Sequence, residues 1–181
     1  MAPRPRLWPP ENAVLTPAAA LLLIYPHGDD WWIPLTLRGS SLRHHGGQVS
    51  LPGGRLDRPD ETIERAALRE AREEIGIVET AVEILGRLTP LPIAVSGHLL
   101  CPVVAVAPAR PAFSVAAGEV DRLIEVTITG LRHPDAVGWE QRESSRQPGL
   151  TMDVPYFDVD GHRVWGATAM VLSEFIALMA G

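Results

Sequence analysis

From Gly53 to Ile77 the chain reads GGRLDRPDETIERAALREAREEIGI, and no other stretch limits its fold and chemistry so strongly. The pattern predicts a helix from about Thr62 to Ile75, stopped by Gly76, since a glycine that accepts the left-handed conformation closes helices. At about 100° per residue, Glu70, Glu73 and Glu74 stand at i, i+3 and i+4 and share one face. Ile63, Ala67, Ala71 and Ile75 form an adjoining apolar stripe, Glu74 falls among the apolar positions, and Arg65, Arg69 and Arg72 take the other side. Like charges half buried beside a core cost free energy through repulsion and desolvation unless a cation compensates them. A hard divalent metal suits such carboxylates. The plainer reading is a solvated helix face held by pairs such as Glu61 with Arg65 and Arg69 with Glu73, each contributing roughly 0.2–0.5 kcal/mol. Gly53 and Gly54 shift the balance, because glycine lets the backbone come close to a ligand or metal.

The rest of the chain sets the frame for this helix. A length of 181 residues suits one domain, here read as 13–181 behind a proline-rich arm at 1–12. Hydrophobic residues at 46% and charged residues at 21% are the balance of a globular protein. The single Cys101, set in LLCPVVAV, reads as a buried strand thiol in a reducing, cytoplasmic setting. The run PAAALLLIY at 17–25 mimics a leader, but it is too short to span a bilayer and lacks a cleavage site, so a buried strand is expected and no membrane partner. A net charge of −6 argues against nucleic acid as a partner. A small anionic substrate remains open to it, through a divalent cation and local arginines.

Apolar runs at 14–25 and 31–37 around PHGDD predict a hairpin. QVSLPGG at 48–54 predicts a short strand, and further strands are expected at 81–91 and 99–107, while EVDRLIEVTI fits either strand or helix. YFDVDGHRVWG predicts a hairpin turned at Asp160 and Gly161, followed by an apolar helix over ATAMVLSEFIALMA. Strands mixed with at least two helices point to an α/β layered domain.

The 54–77 segment resembles the Nudix box, G-x-x-x-x-x-E, seven residues, then R-E-U-x-E-E-x-G-U with U aliphatic. Arg69, Glu70, Ala71, Glu73, Glu74, Gly76 and Ile77 fall in register, with the small Ala71 at an aliphatic position. The first half departs: counting from Gly54 lands on Asp60, and Glu61 keeps the spacing to Arg69 but breaks that to Gly54. The resemblance implies a Nudix-type α/β/α sandwich with a mixed β-sheet and Mg²⁺- or Mn²⁺-dependent hydrolysis of a nucleoside diphosphate derivative. It further implies Glu70 and Glu74 as metal ligands with Gly54 beside them, Glu73 as a further ligand or the residue acting on water, and Arg69 orienting the glutamates.

Upstream, PLTLRGSSLRHHGGQVSLPGG is similar to a signature of the coenzyme A diphosphatase branch. Leu35, Thr36, Arg38, Arg43, Gly47, Pro52, Gly53 and Gly54 match it, while Pro34, Gly39 and Leu51 differ. That resemblance implies coenzyme A or an acyl-CoA as substrate, cut to 3′,5′-ADP and a 4′-phosphopantetheine product, with Arg38, Arg43 and Gly53 at the substrate, since arginine suits bidentate phosphate binding. It also points to a fourth acid outside the box, Glu119 first and Glu140 behind it. His44 and His45 lack a spaced partner and read as loop residues; Trp165 and Tyr156 read as core before they read as a base-stacking pair. A homodimer is compatible with all of this. The alternatives are hydrolysis of another nucleoside diphosphate derivative such as ADP-ribose, or a non-catalytic nucleotide-sensing module, whose usual mark would be loss of a box glutamate.

Overall fold

The computed structural model describes residues 14–39, 47–144 and 149–180. The expected arm at 1–12 lies outside them, as do Arg43, His44 and His45. The PAAALLLIY run is the centre of the molecule. It forms most of β1 (Thr16–His27), in which Ala18 to Tyr25 are buried without interruption. A strand covered on both faces reads as a continuous apolar run rather than an alternating one, which explains its likeness to a leader. Alternate residues serve opposite layers: Ala20, Leu22 and Ile24 join one core cluster, and Ala19, Leu21, Leu23 and Tyr25 the other.

β1 turns into the antiparallel β2 (Asp30–Arg38), with His27 opposite Asp30, so the hairpin falls at PHGDD. Beyond it come β3 (Val49–Ser50) against β2 and β4 (Gly53–Arg55) against β1. QVSLPGG is thus two strands rather than the single one expected. The break falls at Leu51 and Pro52, where Pro52 has no N–H to give and its carbonyl accepts from the Leu21 N–H at 2.8 Å. The run at 81–91 is also broken, into β5 (Glu83–Arg87) and β6 (Leu91–Ile93) on either side of Pro90. Both pair with β7 (His98–Val106), which runs parallel to β1 from Thr16–His98 to Ile24–Val106. EVDRLIEVTI resolves into β8 (Val120–Thr127), paired with β2, and the short α2 (Ile128–Arg132), which the Thr127 side chain caps. One parallel pairing among antiparallel ones makes the sheet mixed.

A second, antiparallel sheet holds β9 (Val137–Glu143), β10 (Thr151–Val159) and β11 (His162–Trp165), and the last two turn at Asp160 and Gly161 as expected. The chain then enters α3 (Gly166–Leu178). Helix α1 (Ile63–Ile75) covers one face of the main sheet through Ala66, Ala67, Ala71 and Ile75. Ile128, Leu131, Phe157, Val164, Leu172 and Phe175 cover the other. The result is the layered α/β/α arrangement that the resemblance implied. Cys101 is buried on β7, and burial pushes its thiol up. Among the described residues no helix is long and apolar enough to cross a membrane.

Candidate active site

Helix α1 is fixed at both ends. The Thr62 hydroxyl accepts the Arg65 N–H, and Gly76, at φ 73°, donates its N–H to the Arg72 carbonyl. Burial of the alanine stripe sets the helix rotation, and that rotation carries the glutamate row to β4. Glu74 is only 5% exposed. Its carboxylate accepts the Gly53 N–H at 3.3 Å and lies 3.5 Å from the Arg38 guanidinium. Burial pushes this carboxyl up to about 7; Arg38 and the Gly53 N–H pull it back, while Glu70 and Glu119 add to the rise. Burial also raises the Glu70 carboxyl, against the pull of Arg69. Glu73 stands more in the open and meets Arg69 and Arg72 at 3.3 and 3.1 Å.

Arg69 does not take the other side of the helix as the projection suggested. Helical side chains lean toward the N-terminus, and its long stem reaches back over the loop. There Nε donates to Glu61 at 2.9 Å, Nη1 to Glu70 at 2.9 Å, and Nη2 to the Arg55 carbonyl at 2.9 Å. Arg65 stays exposed and is not the partner of Glu61. The ambiguous first acid of the box is resolved in the same contact: Glu61 holds Arg69 and accepts the Asp57 N–H at 2.8 Å, whereas Asp60 is exposed. The spacing to Arg69 governs because a hydrogen bond spans it; the count from Gly54 crosses a loop that absorbs the extra residue. The Arg69 hydrogen bond also holds the Glu61 carboxyl below its ordinary value.

The two glycines differ in what they admit. A Cβ on Gly54 would run into the Glu70 carboxylate, whereas one on Gly53 would strike the Ala19 carbonyl and lie 2.7 Å from the Ala20 Cα. Gly53 therefore packs closely against β1, while its N–H faces Glu74. Gly54 opens the space that Glu70 fills. Arg38, expected at the substrate, stands at the acid row beside Glu74. Glu119 is exposed, yet close enough to Glu74 to raise its carboxyl. Glu140 is engaged elsewhere: Arg142 and Arg163 both pair with it on the small sheet. Tyr156 and Trp165 face each other there and are neither core nor an open platform, since Arg163 covers the first at 5.1 Å and Arg142 the second at 4.0 Å.

The row fits a cation in its chemistry. The buried Glu74 and the partly buried Glu70 have their ionised forms disfavoured by burial, and Gly54 leaves Glu70 room at the backbone. Among the described residues no three acidic, histidine or cysteine side chains are already gathered as a metal cage. Glu70 leans on Arg69 and Glu74 on Arg38 and Gly53, the positive partners at hand. Sequence reasoning missed the loop that seals this end of α1, in which the Ser114 and Ala116 N–H groups donate to the Ile75 and Glu74 carbonyls. Nothing in FSVAAG marks such a role.

Residues 14–135 match the NUDIX domain family. The uncharacterized Nudix hydrolase NudL of Escherichia coli O7:K1 is 37% identical over 152 residues, covering 81% of this chain and 74% of that protein. Its namesake in Klebsiella pneumoniae is 34% identical over 178 residues, 96% of this chain and 88% of that one. Among solved structures, RenU, a Nudix hydrolase from M. smegmatis, superposes with a TM-score of 0.56 at 25% identity, over 69% of this chain and 87% of that one. The chain belongs to the Nudix family, and it is a hydrolase. Nudix hydrolases generally use divalent metal ions.

Proposed function

We propose that the protein hydrolyses the diphosphate bond of coenzyme A or an acyl-CoA, releasing 3′,5′-ADP and (acyl-)4′-phosphopantetheine. The chemistry rests on the buried Glu74 carboxylate, gathered with Glu70, Arg38 and the Gly53 N–H at one end of α1. Retention of Glu70, Glu73 and Glu74 speaks against a merely sensing module. The substrate rests on the signature across residues 34–54, while the kinship with NudL proteins supports the hydrolase.

In this reading Glu70 and Glu74 hold Mg²⁺ or Mn²⁺, with the Gly54 backbone alongside. A bound divalent cation neutralises the diphosphate and lowers the pKa of water. Glu73, exposed beside Arg69 and Arg72, and Glu119, at the end of the loop before β8, are the carboxylates we assign to take the proton of the attacking water as the P–O–P bridge breaks. Arg69 keeps Glu70 and Glu73 in place by charge-assisted hydrogen bonds. The deciding experiment is product identification from coenzyme A, ADP-ribose and dinucleoside polyphosphates with Mg²⁺ and Mn²⁺. Preference for ADP-ribose would remove the coenzyme A assignment and leave the hydrolase intact.

Metal should also report itself in stability. A cation that binds only the folded row raises the melting temperature by mass action, and chelator should reverse the rise. A melting temperature that stays flat to tens of millimolar Mg²⁺ and to millimolar Mn²⁺ would reduce the row to a solvated helix face.

The arginines should divide the substrate between them. Arg38 lies 3.5 Å from Glu74, so we assign it to the diphosphate and Arg43, outside the described residues, to the 3′-phosphate. Arg43→Ala should lower kcat/KM for coenzyme A about ten- to a hundred-fold more than for 3′-dephospho-coenzyme A, the effect of losing one charge-assisted hydrogen bond. Arg38→Ala should lower both alike. Equal losses on both substrates for Arg43→Ala would show that it does not read the 3′-phosphate.

A further inference from the structure

The segment joining β7 to β8, residues 107–119, has no regular secondary structure, yet it is tied down along its length. Irregular loops of this length are uncommon in compact domains, and ordered ones usually serve function. Near its start, Arg110 donates from Nε and Nη2 to the two oxygens of Glu125 on β8, at 2.8 and 2.7 Å. The hydroxyl of the fully buried Tyr25 donates to the same carboxylate. The Arg110 guanidinium lies 5.3 Å from the Phe113 ring centre, and Phe113 packs on Tyr25 at 5.6 Å. Burial pushes the Glu125 carboxyl up, but the bonds from Arg110 and Tyr25 outweigh it and hold the group ionised.

Further along, the Ser114 and Ala116 N–H groups cap the carbonyls of Ile75 and Glu74, in the turn that carries the acid row. At its end the Glu119 carbonyl accepts the Gly39 N–H at 2.9 Å, next to Arg38, and the Glu119 side chain comes within electrostatic reach of Glu74. One strap thus runs from the Arg110 anchor, over the end of α1, to Glu119.

We infer that Arg110, clasped to Glu125 and Tyr25, is a positioning residue for the hydrolysis: it tensions the strap that sets Glu119 against the acid row. The inference rests on the role proposed for Glu119. A two-pronged guanidinium bond fixes both place and orientation, and small displacements of a reacting group are costly in rate. Tyr25 adds a buried stop that an exposed ion pair lacks, since surface pairs alone contribute little.

The test is a double cycle on the full chain with Mg²⁺, using Arg110→Ala, Glu119→Gln and the double variant, with Glu125→Gln in place of Arg110→Ala should that protein not fold. Arg110→Ala should lower kcat about tenfold, with KM within about twofold. In the Glu119→Gln background it should cost nothing more. A purely structural loss would instead multiply with that of Glu119→Gln, and that outcome overturns the clasp, as does unchanged kcat in folded Arg110→Ala. Wild-type turnover by Glu119→Gln would remove the role of Glu119, and the clasp with it. A slow Glu119→Gln beside a neutral Arg110→Ala removes the clasp alone.

Discussion

Glu74→Gln is expected to lower turnover by roughly a hundred- to a thousand-fold while the protein stays folded, because charge stabilisation by a metal is worth several kcal/mol to a phosphoryl transition state. The exchange keeps side-chain volume and hydrogen-bonding reach, and removes one buried negative charge 3.5 Å from Arg38. Near wild-type turnover at saturating Mg²⁺ would end the assignment of Glu74 as a ligand. The same variant has a stability signature without metal. The folded carboxyl sits at about 7 against an ordinary 4.5, so the folded state keeps a proton that the unfolded chain has lost between those values. Stability is therefore full below 4.5 and falls as pH rises toward 7, by up to roughly 3 kcal/mol from this one group. Glutamine has no such proton. The difference between Glu74→Gln and wild type should be small at pH 4.5, should grow in favour of the mutant toward pH 7, and should shrink when Mg²⁺ is added to the wild type. Parallel stability curves across that range would show that Glu74 ionises without cost.

The fold was legible where one periodicity ruled a segment. The glutamate row, Thr62 and Gly76 marked α1 to within a residue, and the apolar run of β1 was readable as a buried strand because it was too short to span a bilayer, although its cover on both faces was not. Reading failed where a backbone detail overrode hydropathy: Pro52 and Pro90 each cut an apolar run into two strands. At the site, residue types pointed to the acid row, but the projection of a bare helix could not show that Arg69 folds back to Glu61 and Arg55. A wheel records the direction in which a side chain leaves the helix and not where a four-bond stem ends. The strap was invisible for another reason. Its work is done by backbone N–H groups, which every sequence supplies, and by Arg110 meeting Glu125 across a gap whose closure only the tertiary fold determines.

Gly53→Ala and Gly54→Ala should fail in opposite ways although the residues are neighbours. On Gly53 a methyl would meet the Ala19 carbonyl and approach the Ala20 Cα to 2.7 Å, both backbone of the central strand. Neither can yield without shifting β4 from β1 or bending the strand on which both cores rest. Overpacking of this kind costs about 3 kcal/mol or more, a large share of the roughly 5–15 kcal/mol available to a domain, so Gly53→Ala should melt far below wild type or accumulate as insoluble protein. On Gly54 the methyl meets the carboxylate of Glu70, the far end of a flexible side chain that can swing aside. Folding should be nearly unaffected, and Glu70 should be lost from the row. Displacement of a reacting constellation by about 1 Å is worth on the order of a hundred-fold in rate, and Gly54→Ala should show that loss together with weaker Mg²⁺ stabilisation in thermal melts. A Gly54→Ala protein that melts and turns over like wild type would mean that Glu70 has no part in holding the metal, and a stable Gly53→Ala would mean that β4 does not need its close approach to β1.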